Sequence, residues 1–80
     1  MLEQLNTSRK VVGIKQLRRA LTNGNIKKVF LADDADPRLT EPLAEQCETL
    51  YVDWEMVASM QELGKACGID VGAAAAGVLR

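Results

Sequence analysis

Apolar positions along the chain follow two rhythms, one helical and one extended. Between Ile14 and Thr22, residues Ile14, Leu17, Ala20 and Leu21 recur three or four apart. That is the spacing of one helix face, and Lys15, Arg18, Arg19 and Thr22 occupy the others. Asn23-Gly24 closes the segment, glycine supplying a left-handed cap. Ahead of it, Lys10-Val11-Val12 predicts a short strand ended by Gly13. A short amphipathic turn or helix around Leu2 and Leu5 is a candidate opening element. Lys28-Val29-Phe30-Leu31-Ala32 is a nearly continuous apolar run, the pattern of a strand covered on both faces.

Asp33 to Pro37 reads as a polar turn. Thr40 is expected to cap a helix with Pro42 in its first turn, where a missing N–H costs little, and that helix should run to about Cys47. Val52, Trp54 and Met56 then alternate with Asp53 and Glu55, and period two predicts a strand with one wet face. Ser59-Met60-Gln61-Glu62 is a capping box that starts a helix ending near Cys67, with Gly68 as its stop. Ala73 to Ala76 favours helix by propensity. It is nevertheless short, flanked by Gly72 and Gly77, and runs into Val78-Leu79. We read it as a buried strand whose small side chains admit closely packed helices. Strand, helix, strand, helix, strand, helix, strand is an order that puts helices on both faces of a mixed sheet. Loops at one end of such a sheet are the natural place for a site.

Eighty residues make a single domain, 1–80, and 48% of them are hydrophobic, enough for a modest core. With only Phe30, Tyr51 and Trp54 aromatic, that core must be aliphatic. Cys47 and Cys67 form no C-x-x-C pair and have no histidine to join them at a metal. They are expected to be reduced, buried thiols, which suits the cytoplasm. The opening residues, Met1 to Asn6, are neither basic nor continuously apolar and predict no secretory leader. No apolar run approaches the length of a membrane span.

The net charge of −1 conceals an asymmetry. From Gln4 to Ala32 there is no acidic residue, whereas Arg9, Lys10, Lys15, Arg18, Arg19, Lys27 and Lys28 are basic. From Asp33 to Glu62 the sign inverts: Asp33, Asp34, Asp36, Glu41, Glu45, Glu48, Asp53, Glu55 and Glu62 face only Arg38. Either one face attracts phosphate and another repels it, or the halves neutralise each other as ordinary solvated surface.

Catalytic chemistry finds little support. No histidine is present, and neither Ser8 nor Ser59 has a base beside it in sequence. Asp33, Asp34 and Asp36 lack the spacing of a calcium loop and read better as a solvated turn. Gly64-Lys65 follows no glycine at phosphate-loop spacing. Gly64, Gly68 and Gly72, four apart, read as a helix end and tight loop. Neither an enzyme nor a bound cofactor is expected.

Two segments are suited to contact. In Gly13-Ile14-Lys15-Gln16-Leu17-Arg18-Arg19 a glycine turn opens a helix whose first amides favour anions. Lys15 and Arg19 lie one turn apart beside Gln16 and offer charge and hydrogen bonds to phosphate or a base edge. The same residues would also serve as a plain basic helix face. In Gly68-Ile69-Asp70-Val71-Gly72, two branched apolar residues stand in a short loop. They could cover an unstacked base or turn inward to the core.

These segments, together with Ala32-Asp33-Asp34-Ala35-Asp36-Pro37, resemble the ribosomal L-seven-Ae and L-thirty-e family of kink-turn RNA-binding proteins, most of all its small bacterial ribosomal-protein-like members. The most specific stretch is Leu63-Gly64-Lys65-Ala66-Cys67-Gly68-Ile69-Asp70-Val71-Gly72-Ala73-Ala74-Ala75. The likeness spans nearly all of the chain after Arg9. It implies an α/β fold, a three-layer alpha-beta-alpha sandwich with a four-stranded mixed sheet. It also implies recognition, mainly by shape, of an RNA bent at a bulge beside tandem G·A pairs. Gly13, Lys15, Gln16, Arg19, Asp36, Ile69, Asp70 and Val71 are the site residues so implied, with Asp36 near the extruded base and the Ile69-Asp70-Val71 loop covering it. Where the family usually carries Asn-Glu-x-x-Lys, this chain has Lys15, Gln16 and Arg19, a change that trades base reading for phosphate attraction or shifts preference among kinked RNAs. The partner expected is structured RNA, ribosomal RNA among the candidates, with no DNA, no membrane and a monomeric chain. The alternative is a protein-interaction module on the same scaffold, its acidic half binding a basic partner.

Overall fold

The computed structural model describes Leu5 and residues 9–80. Strand β1 (Lys10–Val12) leads through Gly13 into helix α1 (Ile14–Thr22). Then follow β2 (Ile26–Ala32), α2 (Pro37–Thr49), β3 (Asp53–Val57), α3 (Met60–Ala66) and β4 (Ala75–Leu79). The four strands form one mixed sheet in the order β1-β4-β2-β3. β4 runs antiparallel to both β1 and β2, and β2 is parallel to β3.

Each face of the sheet has its own core. Leu17 and Leu21 of α1 and Leu43 and Cys47 of α2 pack with Ile26, Val29, Leu31 and Ala75. On the opposite face, Leu63 and Cys67 join Leu5, Phe30, Ala32, Ala76 and Val78. This is the three-layer sandwich expected. A register shift between Ile26 and Lys28 changes the phase of β2, so that Ile26, Val29 and Leu31 all meet the α1–α2 layer. The small residues of β4 have a steric reason. A Cβ on Gly77 would lie 2.5 Å from Leu17 Cδ1 and 3.1 Å from Ile26 Cδ1, so the α1 layer sits almost on the strand. The alanine segment is indeed a strand, though it begins at Ala75 and leaves Ala73 and Ala74 in the preceding loop.

Other elements depart from the sequence pattern. Helix α2 begins at Pro37, and its cap is Asp36, whose carboxylate accepts the Arg38 N–H at 2.9 Å. Asp-Pro outcompetes Thr40 because aspartate caps well and proline at N1 has no N–H to lose. Thr40 is instead buried inside the helix. Pro42 therefore stands one turn in, where it withholds the N–H that Arg38's carbonyl would accept. The helix continues to Thr49 and stops without glycine, since Tyr51 itself takes φ 57°. Strand β2 starts two residues early, at Ile26.

β3 is an edge strand, so its two faces are less distinct than its alternation. Met56, on the expected dry face, is 45% exposed. Glu55, on the expected wet face, is half-covered and pairs with Lys28 at 2.6 Å, and Val57 on that side is buried. Of the candidate opening turn, only Leu5 is among the described residues; it is fully buried.

Candidate nucleic-acid interface

The three predicted contact segments leave the sheet at the same end. β1 and β2 finish there, at Gly13 and Asp33, and antiparallel β4 starts between them. Gly13 N–H donates to the Ala75 carbonyl at 3.0 Å, and Ala32 N–H donates to the Ala74 carbonyl at 2.9 Å. The turn into α1, the turn into α2 and the loop from α3 thus emerge from three adjacent strands.

Gly13 takes φ 107°, ψ 152°, backbone that a side chain would strain. It opens α1 with no side-chain cap and no acidic residue in the first turn. Unsatisfied amides at that end attract an anion. Gln16 folds back over Gly13: a Cβ on the glycine would lie 2.8 Å from Gln16 Oε1. Lys15, Arg18 and Arg19 are exposed and make no ion pair with any described residue. Gln16 and Arg19, three apart, share one stripe of α1, which the C-cap residue Asn23 continues. All three line a groove of about 410 Å³ beside β1, with Lys10 and Asn25 completing its polar rim.

Asp36 is committed to structure. Besides capping α2, it pairs with Arg38 Nη2 at 2.9 Å. The Arg38 side chain and backbone hydrogen bonds hold its carboxyl below the ordinary carboxylate value. Asp34 Oδ1 accepts the Met60 N–H at 2.7 Å. Among the described residues, no group of three or more His, Cys, Asp or Glu is placed to hold a metal ion.

The Ile69–Val71 loop is clamped onto α3 by its backbone. Ile69 N–H donates to the Gly64 carbonyl and Ala73 N–H to the Met60 carbonyl, each at 3.0 Å. A Cβ on Gly64 would stand 2.0 Å from the Val71 carbonyl oxygen, so only glycine permits the crossing. Gly68, at φ 79°, turns the chain out of the helix. The two apolar loop residues behave differently. Ile69 packs partly against the core, whereas Val71 is 70% exposed, with Asp70 exposed beside it.

The charge asymmetry survives folding. Glu41, Glu45 and Glu48 project from α2 and Lys15, Arg18 and Arg19 from α1, all exposed. Lys28 is subtracted from the basic side by its pairing with Glu55. Both cysteines are free and buried. Burial raises both thiols, Cys47 to about 11, and the Lys10 charge partly offsets the rise at Cys67.

The model of the ribosomal protein L7Ae/L30e/S12e/Gadd45 family matches residues 2–80. The chain belongs to this family. It is 44% identical over 69 residues to a protein of Bacillus pumilus named RNA-binding protein, covering 86% of this chain and 84% of that one. The RNA-binding protein YbxF of Geobacillus stearothermophilus is 42% identical over 76 residues, covering 95% and 93%. Among solved structures, the Giardia lamblia 15.5kD RNA binding protein superposes with a TM-score of 0.91 over 99% of this chain and 70% of its own. At 24% identity it attests the fold.

In this member of the L7Ae family, two site features escaped the sequence pattern. Gly64 is required by the backbone crossing at Val71, but one glycine in a helix carries no mark of what approaches it. Asp34 and Met60 are 26 positions apart, so their hydrogen bond had no local signal.

Proposed function

We propose that this chain is an RNA-binding protein that grips a kink-turn at the sheet end where Gly13, Asp36 and Val71 emerge. The carrying observation is that the turns flanking α1 and α2 and the clamped Ile69–Val71 loop rise from adjacent strands. An open helix N-terminus with basic side chains then lies on the same rim as a rigid apolar loop. The family membership and the names of the relatives support RNA as the ligand.

The chemistry divides between the two sides. The uncapped amides of α1, with Lys15 and Arg19, attract phosphate. Gln16 and Asn23, on the stripe with Arg19, add neutral donors and acceptors for a groove edge. Val71 offers an apolar cover for a base pulled out of its stack, and its fixed backbone costs little ordering entropy on binding. Asp36, being tied to Arg38, acts by shaping the turn. We take the working species to be a cytoplasmic monomer without cofactor, and ribosomal RNA to be one candidate ligand.

The test is a fluorescence-anisotropy titration with a kink-turn RNA and a matched RNA lacking the tandem G·A pairs. The kinked RNA should bind at least about tenfold tighter, a difference of about 1.4 kcal/mol. Equal, weak binding of both overturns the reading in favour of a protein-interaction module. Val71→Asp should weaken kink-turn binding with no loss of thermal stability. Ile69→Asp is the poorer probe, because Ile69 also packs on the core.

A further inference from the structure

One side chain joins the two loops of the proposed site. Asp34 lies in the turn between β2 and α2, two residues before the cap Asp36. Its Oδ1 accepts the N–H of Met60, the first residue of α3, at 2.7 Å. That helix already has a cap of its own, Ser59 Oγ accepting from Glu62 N–H at 3.1 Å, so Asp34 serves a different amide. Met60 is also where the apolar loop returns: its carbonyl accepts the Ala73 N–H at 3.0 Å. A Cβ on Gly72 would lie 3.1 Å from Met60 Cβ, so the loop backbone is seated on this residue. One turn further on, Gly64 receives the Val71 carbonyl and bonds Ile69. The path from the Asp36 turn to the Val71 tip therefore passes through Asp34, Met60 and Ala73. On the other side of the turn, Asp33 N–H is fixed to the Val57 carbonyl at 2.7 Å. The turn is thus anchored at one residue and reaches across at the next.

We propose that Asp34 is a positioning residue of the RNA site. It sets the separation between the Asp36 turn and the Ile69–Val71 loop through Met60, and touches no RNA itself. This rests on the RNA site proposed above. A carboxylate is suited to the task because a charged acceptor makes a stronger bond to a helix-terminal amide than a neutral one. Its charge should otherwise disfavour RNA, so its presence beside the site calls for a structural reason.

The experiment measures kink-turn RNA affinity and its salt dependence for the full chain and for Asp34→Ala, Asp34→Asn and Val71→Asp, well below every melting transition. Amide hydrogen exchange at Met60, Ile69 and Ala73 is followed in the free proteins. Asp34→Ala should lose about tenfold in affinity, the scale of one charge-assisted hydrogen bond, with an unchanged salt slope because no phosphate contact is lost. Asp34→Asn keeps an oxygen acceptor and should recover most of the loss. Exchange at Met60 and Ala73 should quicken in the alanine variant and stay slow in the asparagine variant. Wild-type affinity in Asp34→Ala with weakened binding in Val71→Asp overturns the positioning role and leaves the site standing. Wild-type affinity in both removes the site and the positioning role together. Equal tightening by Asp34→Ala and Asp34→Asn reduces Asp34 to a repulsive charge and also overturns the proposal.

Discussion

Helices α1 and α2 follow parallel strands onto the same face of the sheet, yet their N-termini are built in opposite ways. α2 is closed: Asp36 caps it, Pro37 removes a donor at its first position, and Arg38 neutralises the cap. α1 is open: glycine precedes it, no side chain caps it, and its first turn holds no acid. Their solvent faces differ in the same sense, with Lys15, Arg18 and Arg19 against Glu41, Glu45 and Glu48. A helix terminus with free amides and surplus positive charge attracts phosphate, while one already satisfied by its own carboxylate does not. On the proposed reading, phosphate would therefore be drawn to the end of α1 and not to that of α2.

The contrast is confined to the surface. Leu17 of α1 and Leu43 of α2 are both fully buried in the same cluster. Leu17→Ala and Leu43→Ala should each cost ~2–5 kcal/mol of stability in chemical denaturation. Losses of similar size would show that the helices are equal as structure and unequal only as ligand surfaces. A small loss for Leu17→Ala alone would mean that α1 is loosely docked, and that its open end could not be rigid.

Charge changes should separate the helices more sharply than packing does. Arg19→Ala should weaken RNA binding and lower the salt slope by about 1 as a phosphate contact; a loss of ~1–3 kcal/mol would mean that it also reads a base edge. Lys15→Ala should act in the same direction to a lesser degree, because Arg19 lines the groove beside β1 and Lys15 does not. Glu45→Lys on α2 should leave affinity nearly unchanged or tighten it slightly by long-range attraction. If Glu45→Lys strengthens binding as much as Arg19→Ala weakens it, net charge governs affinity and the open terminus of α1 has no special part.

Much of this contrast was legible in the amino-acid order. The spacing of Ile14, Leu17 and Leu21 located α1, and the block of basic residues before Asp33 marked its surface. Gly72 and Gly77 around the alanines pointed to a strand, and the 2.5 Å approach of Leu17 to a Cβ at Gly77 supplies the reason. The opening of α2 was misread because Thr40 and Pro42 form a plausible start by themselves, and local pattern does not rank them against Asp36-Pro37. Its end was misread because Tyr51 adopts a left-handed turn usually left to glycine. Of the site, the segments were visible but not their joints. The Asp34 bridge joins residues 26 apart, and the Gly64 crossing depends on how the loop after α3 folds back over the helix; periodicity registers neither. The division of labour between Ile69 and Val71 likewise depends on where α3 lies beneath the loop.

The smallest effect bears on the closed end itself. Hydrogen bonds from the Arg38 side chain and backbone hold the Asp36 carboxyl below its ordinary value of 3.8, so the folded state favours the ionised form. Its contribution is fully present above 3.8 and is lost as pH falls through the lower folded value. Asp36→Asn keeps a capping oxygen but removes the charge. The gap in melting temperature between wild type and this variant should therefore be constant near neutrality and shrink on acidification below about 3.8. The group is exposed to solvent, so the gap should be small and should narrow further in high salt. Over the same range the amides of the first turn of α1 should show no matching titration, because no carboxylate of that turn caps them. An acid transition shared by the first turns of both helices would indicate that the end of α1 borrows a carboxylate from elsewhere. It would then be less open to phosphate than its own residues imply.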